Sequence, residues 1–484
     1  MDLRNMISQR SWHDDWANLQ VAVLGLGKSG FSVADTMVEL GASVVVFAAN
    51  ADEHFRNLLD VIGAELVASD QPAQFTAAER SFDFAVVSPG FAPSHPLVKL
   101  LEEQGVELLT DIDLAFRLRD KTSKVAKWIA ITGTNGKTTT TELTTHILNE
   151  AGYRAVACGN IGNPILDAVR DPDGFDFLVV ELSSFQLHYM GSIQPLASAF
   201  LNLAPDHIDW HGSFDSYFAD KSKVFENTEI AIVYNLEDSK TLEAAENADV
   251  IEGCRAIGFT TQIPPVAAIG FVEEFLVDRA FIDDRQKSAQ EIATLDEIGQ
   301  IGVVSKHLKS NVAAATALAR AAGVESDQIR SALTSFKLAP HRIQLVARVS
   351  GVDFIDDSKA TNAHAAAASL AAFDSVVWIV GGLLKGVDPK PLVQEFGSKL
   401  RGAVVIGKDT QILEALFAEV LPMLPVRVIS GADVMIEAVE AAASLAQAGD
   451  TVLLAPAAAS MDQFVDYADR GLKFQAEVRK LAGS

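Results

Sequence analysis

The chain has 484 residues, with 39 Lys+Arg against 64 Asp+Glu, a formal net charge of −25 and a pI near 4.7. At roughly 150 residues per domain that length predicts about three domains, and 49% hydrophobic against 21% charged residues excludes a disordered chain. The acidic balance excludes a nucleic-acid binder or a membrane-surface protein, both of which need clustered positive charge, so any anionic substrate must be met by a few placed cations.

The N-terminal stretch Met1 to Gln20 lacks the apolar segment of a signal peptide. Val21–Leu24 and Ser43–Phe47 read as β-branched strands, and between them lies Gly25-Leu26-Gly27-Lys28-Ser29-Gly30. This is a GxGxxG turn from strand to helix, whose small residues let backbone amides and a helix N-terminus approach a pyrophosphate. A dinucleotide reader also needs an acid at the end of the second strand, where this chain has Ala48-Ala49-Asn50. That pattern disfavours NAD and favours another pyrophosphate, such as a nucleotide sugar. Phe84–Val87 is a further strand, and the charged stretch Arg117–Lys124 closes a first domain, 1–124.

The strand Trp128–Thr132 runs into Gly133-Thr134-Asn135-Gly136-Lys137-Thr138-Thr139. Such a loop cradles phosphate oxygens on its amides, with the Lys reaching β/γ-phosphates and the following Thr able to hold Mg²⁺. The next strand, Phe177–Val180, ends on Glu181, where a P-loop enzyme needs an acid for Mg²⁺. Asp206-His207-Ile208-Asp209-Trp210-His211 reads equally as a surface turn or a metal site, and a helix over about 214–226 carries Lys221 and Lys223. Residues 261–300 are polar and weakly periodic, which predicts a peripheral hairpin or loop region. Pro340 marks a second boundary, giving domains 125–340 and 341–484.

The last domain has strands at Val376–Val380, Ala403–Ile406 and Thr451–Ala455, a third glycine loop at Gly381–Gly386, and the polar segments Pro340–Arg342, Asp356–Asn362 and Ser460–Phe464. Its apolar runs, like those elsewhere, fall far short of a membrane span. Strands alternating with Ala/Leu-rich helices predict an α/β fold of parallel sheets covered on both faces. Cys158 and Cys254 are too few for a disulfide framework and point to a reduced, cytoplasmic setting.

Taken in order, GTNGKTT, Glu181-Leu-Ser-Ser-Phe-Gln, Asn202-x-x-x-Asp206-His207-x-Asp209, Asp357-Ser-Lys-Ala-Thr-Asn and Ala457-Ala-Ala-Ser-Met-Asp-Gln-Phe resemble the Mur ligases. The resemblance runs from Gly25 to about Tyr467 and is strongest to the branch that adds D-glutamate. It implies a Rossmann-like N-terminal domain, a central P-loop ATPase domain and a C-terminal Rossmann-like domain. ATP would activate the carboxylate of UDP-N-acetylmuramoyl-L-alanine as an acyl phosphate, which the D-glutamate amine would attack. The expected partners are small-molecule substrates alone, and the chain is expected to act as a monomer.

By that resemblance Gly25, Lys28, Ser29, Gly30, Gly90 and Asn160 hold the UDP substrate. Gly133 through Thr139, Asn311, Arg342 and Asp357 hold ATP. Thr138, Glu181, His207 and Lys221, the last as a CO₂-derived carbamate, hold two Mg²⁺, with Lys137, Glu181, His207 and Lys221 carrying the catalysis. Lys359, Thr361, Lys385, Ser460 and Tyr467 form the D-glutamate pocket. The alternatives are a sister ligase or folylpolyglutamate synthase-like enzyme with another acceptor, or an NAD-binding oxidoreductase.

Overall fold

The computed structural model of the chain describes residues 10–72, 81–338, 340–384, 388–408, 410–431 and 433–483. Its α/β chain divides into two compact units, Met1–Thr294 with Ser310–Leu333, and Leu295–Lys309 with Thr334–Ser484.

The first unit holds two sheets. In the N-terminal one, β1 (Gln20–Leu24), β2 (Ser43–Phe47), β3 (Glu65–Val67), β4 (Phe84–Val87) and β5 (Glu107–Leu109) are all parallel in the order β3-β2-β1-β4-β5. The order reverses between β1 and β4, the place where open α/β sheets bind ligands beyond their strand ends. Alternate residues of β1 enter opposite cores, Val21 and Val23 on one face and Ala22 and Leu24 on the other. Burial on both faces explains why this strand reads as a continuous apolar run.

The central sheet comprises β6 (Lys127–Thr132), β7 (Ala155–Gly159), β8 (Phe177–Glu181), β9 (Ala197–Phe200), β10 (Ala231–Asn235), β11 (Arg255–Phe259), β12 (Ala268–Val272), β13 (Phe275–Asp278) and β14 (Gln290–Thr294). Their order is β14-β13-β12-β11-β10-β9-β6-β8-β7. Residues 261–300 form the expected peripheral hairpin, extended by a third strand. They supply β12–β14, paired antiparallel at the edge of an otherwise parallel sheet. The helix expected over 214–226 spans Phe214–Ser222 and tightens into a 3₁₀ turn, Lys223–Phe225.

In the second unit β15 (Gln344–Val349), β16 (Val352–Asp356), β17 (Val376–Gly381), β18 (Leu400–Ile406), β19 (Val426–Val428) and β20 (Thr451–Leu454) take the order β15-β16-β20-β17-β18-β19. Among the described strands, only the β15–β16 pair is antiparallel. Val376, Trp378 and Val380 enter one core and Val377 and Ile379 the other. Among the described residues no helix is long and apolar enough to cross a membrane.

Candidate active site

Gly25 and Gly30 make the first loop possible. Gly25 has φ +101°, a region L side chains avoid, and a Cβ on Gly30 would lie 2.1 Å from the Gly25 carbonyl oxygen. The loop lines a cleft of about 420 Å³ with Ser88 and Pro89 at the end of β4 and with Gly159, Asn160 and Gly162 after β7. Lys28 stands exposed at its rim. Gly90, expected in this cleft, lies one residue past its lining.

The central loop sits where β6 lies between β9 and β8, so three neighbouring strand ends converge. Gly136, at φ +83°, lets the loop enter the helix Lys137–Glu150, and a Cβ there would lie 2.4 Å from Asn311 Oδ1. Asn311 is thus brought against the loop, while Leu308, one turn earlier, is buried. Lys137 Nζ donates to the Gly133 and Thr134 carbonyls at 2.9 Å. Thr138 and Thr139 occupy the first turn of the helix, whose N-terminus favours anions.

Glu181 ends β8 in register with Ile131 of β6 and is 2% exposed. Its Oε1 accepts from Asn160 Nδ2 at 2.9 Å, linking it to the first cleft. Its Oε2 is buried with no hydrogen-bond partner. Leaving such an acceptor unpaired costs about 1–3 kcal/mol, more for a charged group, and the cost is tolerated where the oxygen serves a ligand. A hard cation is the ligand this oxygen suits.

Lys221 is 2% exposed and donates to Gly133 O at 2.9 Å and Thr132 Oγ1 at 3.3 Å. Burial first, and then the Lys137 ammonium, push its pKa well below the usual lysine range. The amine is thereby biased toward its neutral, nucleophilic form. His207, in the left-handed region at φ 53°, is 41% exposed at its side chain, packs its ring 4.8 Å from Phe185 and lies 3.6 Å from Asp206.

Two residues outside the expected set shape this site. Asn202 accepts from the Asn135 amide at 2.9 Å and donates to its carbonyl at 3.0 Å, clamping the loop from the end of β9. Tyr217 OH lies 3.1 Å from Thr134 Oγ1. Asn202 belongs to the Asn202-x-x-x-Asp206-His207 segment, and Tyr217 lies one helical turn before Lys221, so the spacing places Tyr217 on the Lys221 face but does not reveal its contact with Thr134.

In the second unit Asp356–Asn362, Ala457–Phe464 and the loop after Gly381 follow the adjacent strand ends β16, β20 and β17. Ala457 N donates to Ala360 O at 2.9 Å, and Leu383 and Ala459 exchange backbone bonds of 2.9 and 3.0 Å. Gly382 makes that approach possible, since a Cβ would lie 2.3 Å from Ala459 O. The third loop is thus a packed junction between strands. Lys359 Nζ lies 5.1 Å over the Tyr467 ring, and Tyr467 O accepts from Ser358 Oγ at 2.7 Å. Ser460 is buried and Thr361 half-buried on the same set of loops.

Arg342 keeps Nε and Nη2 buried without partners, donors suited to an anion. Asp357, by contrast, turns inward: it accepts from Ser369 Oγ and, at 3.3 Å, from the Ile343 amide. Burial pushes its pKa up to about 6. Lys385 lies outside the described residues.

Two family models match the chain, the Mur ligase middle domain over residues 131–319 and the Mur ligase, glutamate ligase domain over 341–458. The UDP-N-acetylmuramoylalanine–D-glutamate ligase of Leifsonia xyli subsp. xyli is 52% identical over 98% of this chain and 95% of its own length. Among solved structures, the UDP-N-acetylmuramate–alanine ligase of Thermotoga maritima superposes with TM-score 0.57 at 14% identity, covering 96% of this chain and 100% of that one. The MurF ligase of the same organism, in complex with ADP, gives 0.55 at 17% identity over 99% of each chain. These two share the fold, and the sequence relative shares much more. The chain belongs to the Mur ligase family, in the branch whose members carry the D-glutamate ligase name.

Proposed function

We infer that the chain is an ATP-dependent ligase that joins D-glutamate to UDP-N-acetylmuramoyl-L-alanine in peptidoglycan precursor synthesis. The observation that carries this reading is the 2.9 Å bond from Asn160 to Glu181. It joins the cleft of the first glycine loop to the carboxylate beside the central one, so an acceptor held in the cleft meets the phosphate loop. Identity of 52% to a ligase named for this reaction supports it.

Residues 1–124 bind the UDP moiety through the Gly25–Gly30 amides, Lys28 and Ser29, with Asn160 holding the alanyl end. Residues 125–340 bind ATP through the loop Gly133–Thr139 and Asn311. Lys137 exchanges its loop carbonyls for phosphate oxygens and offsets the charge that builds as the γ-phosphoryl group moves to the alanine carboxylate. The acyl phosphate then takes the D-glutamate amine at carbon, and phosphate leaves as the amide forms. Residues 341–484 supply Arg342 for the phosphates and Lys359, Thr361, Lys385, Ser460 and Tyr467 for the amino acid. The inward turn of Asp357 suits a loop-bracing role better than a direct hold on ATP.

Thr138, Glu181 and His207 are the residues that would hold Mg²⁺, which when bound neutralises phosphate charge. The unpaired Glu181 Oε2 fits that role. Lys221 joins them as a carbamate: its neutral amine attacks CO₂, a C=O electron pair moves to oxygen, and an N–H proton is lost to solvent. A repelling ammonium becomes an oxygen ligand. The soluble nucleotide substrates suit a cytoplasmic enzyme.

Phosphate release by the purified protein is the test. It is expected only with ATP, UDP-N-acetylmuramoyl-L-alanine and D-glutamate together, and L-glutamate should not replace the D isomer. Equal release with another amino acid overturns the acceptor, and reduction of NAD(P) in place of phosphate release overturns the ligase.

A further inference from the structure

We propose that Asp220, held by His188 and His211, is a positioning residue that locks together the three segments bearing Glu181, His207 and Lys221. The inference rests on the assignment of those three residues above.

Each segment carries a pin, and the Glu181 segment carries a second in His188. Ser184 lies three residues after Glu181, His211 four after His207, and Asp220 immediately before Lys221. Asp220 Oδ2 lies 2.9 Å from both His188 Nδ1 and His211 Nδ1. A carboxylate only accepts, so both rings donate to it. His211 Nε2 then lies 2.9 Å from Ser184 Oγ. Lys223 adds an ion pair to Asp220 Oδ1 at 3.2 Å and donates to the Leu187 and His188 carbonyls at 3.1 and 3.0 Å.

Successive helical residues point about 100° apart. Fixing Asp220 on one side of the helix Phe214–Ser222 therefore fixes Lys221 on the side that meets Gly133. His211 likewise closes the four-residue helix Ile208–His211 that His207 starts, and Phe185 packs against both, edge-on to His207 at 4.8 Å and stacked on His211 at 5.7 Å.

Asp220, His211 and Ser184 have the order of an acyl-transfer triad. However, Ser184 is 4% exposed, which denies a substrate access and leaves orientation as the role. His188, His211 and Asp220 also bring donor atoms within 4.8 Å, as a metal site would. An ammonium already pairs with that carboxylate, and the hydrogen bonds satisfy it, so positioning is the better account. Residues that orient a ligand typically change metal affinity or activity by about 10–100-fold when removed.

The experiment compares wild type with Asp220→Ala, Asp220→Asn and His211→Gln. Carbamate on Lys221 is read by NMR in ¹³C-bicarbonate, and Mn²⁺ affinity by electron paramagnetic resonance without turnover. Asp220→Ala is expected to lose the carbamate signal and to weaken Mn²⁺ binding by about tenfold or more. Its KM for the UDP substrate should move by less than about twofold, since the pin orients metal ligands and leaves ground-state binding alone. Asp220→Asn, which keeps an accepting oxygen, should recover most of both signals. Wild-type carbamate and Mn²⁺ affinity in Asp220→Ala overturn the proposal. Should that variant not fold, the same outcome in His211→Gln overturns it. Absence of both signals from wild type overturns the ligand assignment beneath it instead.

Discussion

The glycine loops at Gly25–Gly30 and Gly133–Thr138 both follow a parallel strand and open a helix, yet their surroundings differ. The first borders an open cleft and carries one cation, the exposed Lys28. The second is walled by Glu181 and Lys221, each 2% exposed, with Lys137 folded onto its carbonyls and Asn202 clamping it. Holding a pyrophosphate needs amides and a close backbone. Moving a phosphoryl group needs charges fixed where water does not screen them. In the proposed reaction a chain at −25 would meet its anionic substrates with a few cations placed just after strand ends, such as Lys28 and Lys137, rather than with a broad positive field.

The contrast breaks most sharply at Lys137. Lys137→Ala should lower kcat by about 10³-fold, as expected when a preorganised charge on the reacting group is removed. Binding of the UDP substrate should stay within a few-fold of wild type by calorimetry. Equal losses in binding and turnover would mean that the two loops form one undivided site.

Next comes Gly30→Ala. The new Cβ would meet the Gly25 carbonyl oxygen at 2.1 Å, and backbone on backbone has no rotamer to yield. Overpacking of that kind costs about 1–3 kcal/mol, or roughly 5- to 150-fold if it falls on affinity. The UDP substrate should bind that much more weakly while ATP binding is unchanged. Calorimetry with each nucleotide separates the two, and an equal loss for ATP would erase the division of labour.

Much of this arrangement is visible in one dimension because local rules dictate it. Strands buried on both faces, such as Ser43–Phe47 and Phe84–Val87, read as unbroken apolar runs, and glycines with a lysine announce a phosphate loop. What stays hidden depends on distant partners. Asn202 meets Asn135 across 67 residues and Tyr217 meets Thr134 across 83, separations no spacing rule reaches. Three-residue edge strands such as β3, β5 and β19 are too short to show a period. The strands β12–β14 show in the sequence only as a hairpin or loop region, because each is four or five residues long and polar stretches separate β13 from β14. Asp357 looked available to a ligand, and only the fold reveals Ser369 bonded to it.

The smallest expected effect belongs to Lys28, and it sharpens the comparison through salt. Lys28 is exposed, so its attraction to a pyrophosphate is screened over a Debye length of about 10 Å at 0.1 M salt. Exposed charge pairs contribute about 0–1 kcal/mol, so Lys28→Ala should raise the UDP-substrate KM by only about two- to fivefold. That difference should shrink further as potassium chloride rises toward 0.5 M. Lys137 is half-buried against its own loop and cannot be replaced by dissolved cations, so the deficit of Lys137→Ala should persist at every salt concentration. A salt-independent Lys28 effect would mean that its ammonium is desolvated in the complex, and the first loop would then resemble the second more closely than its open cleft suggests.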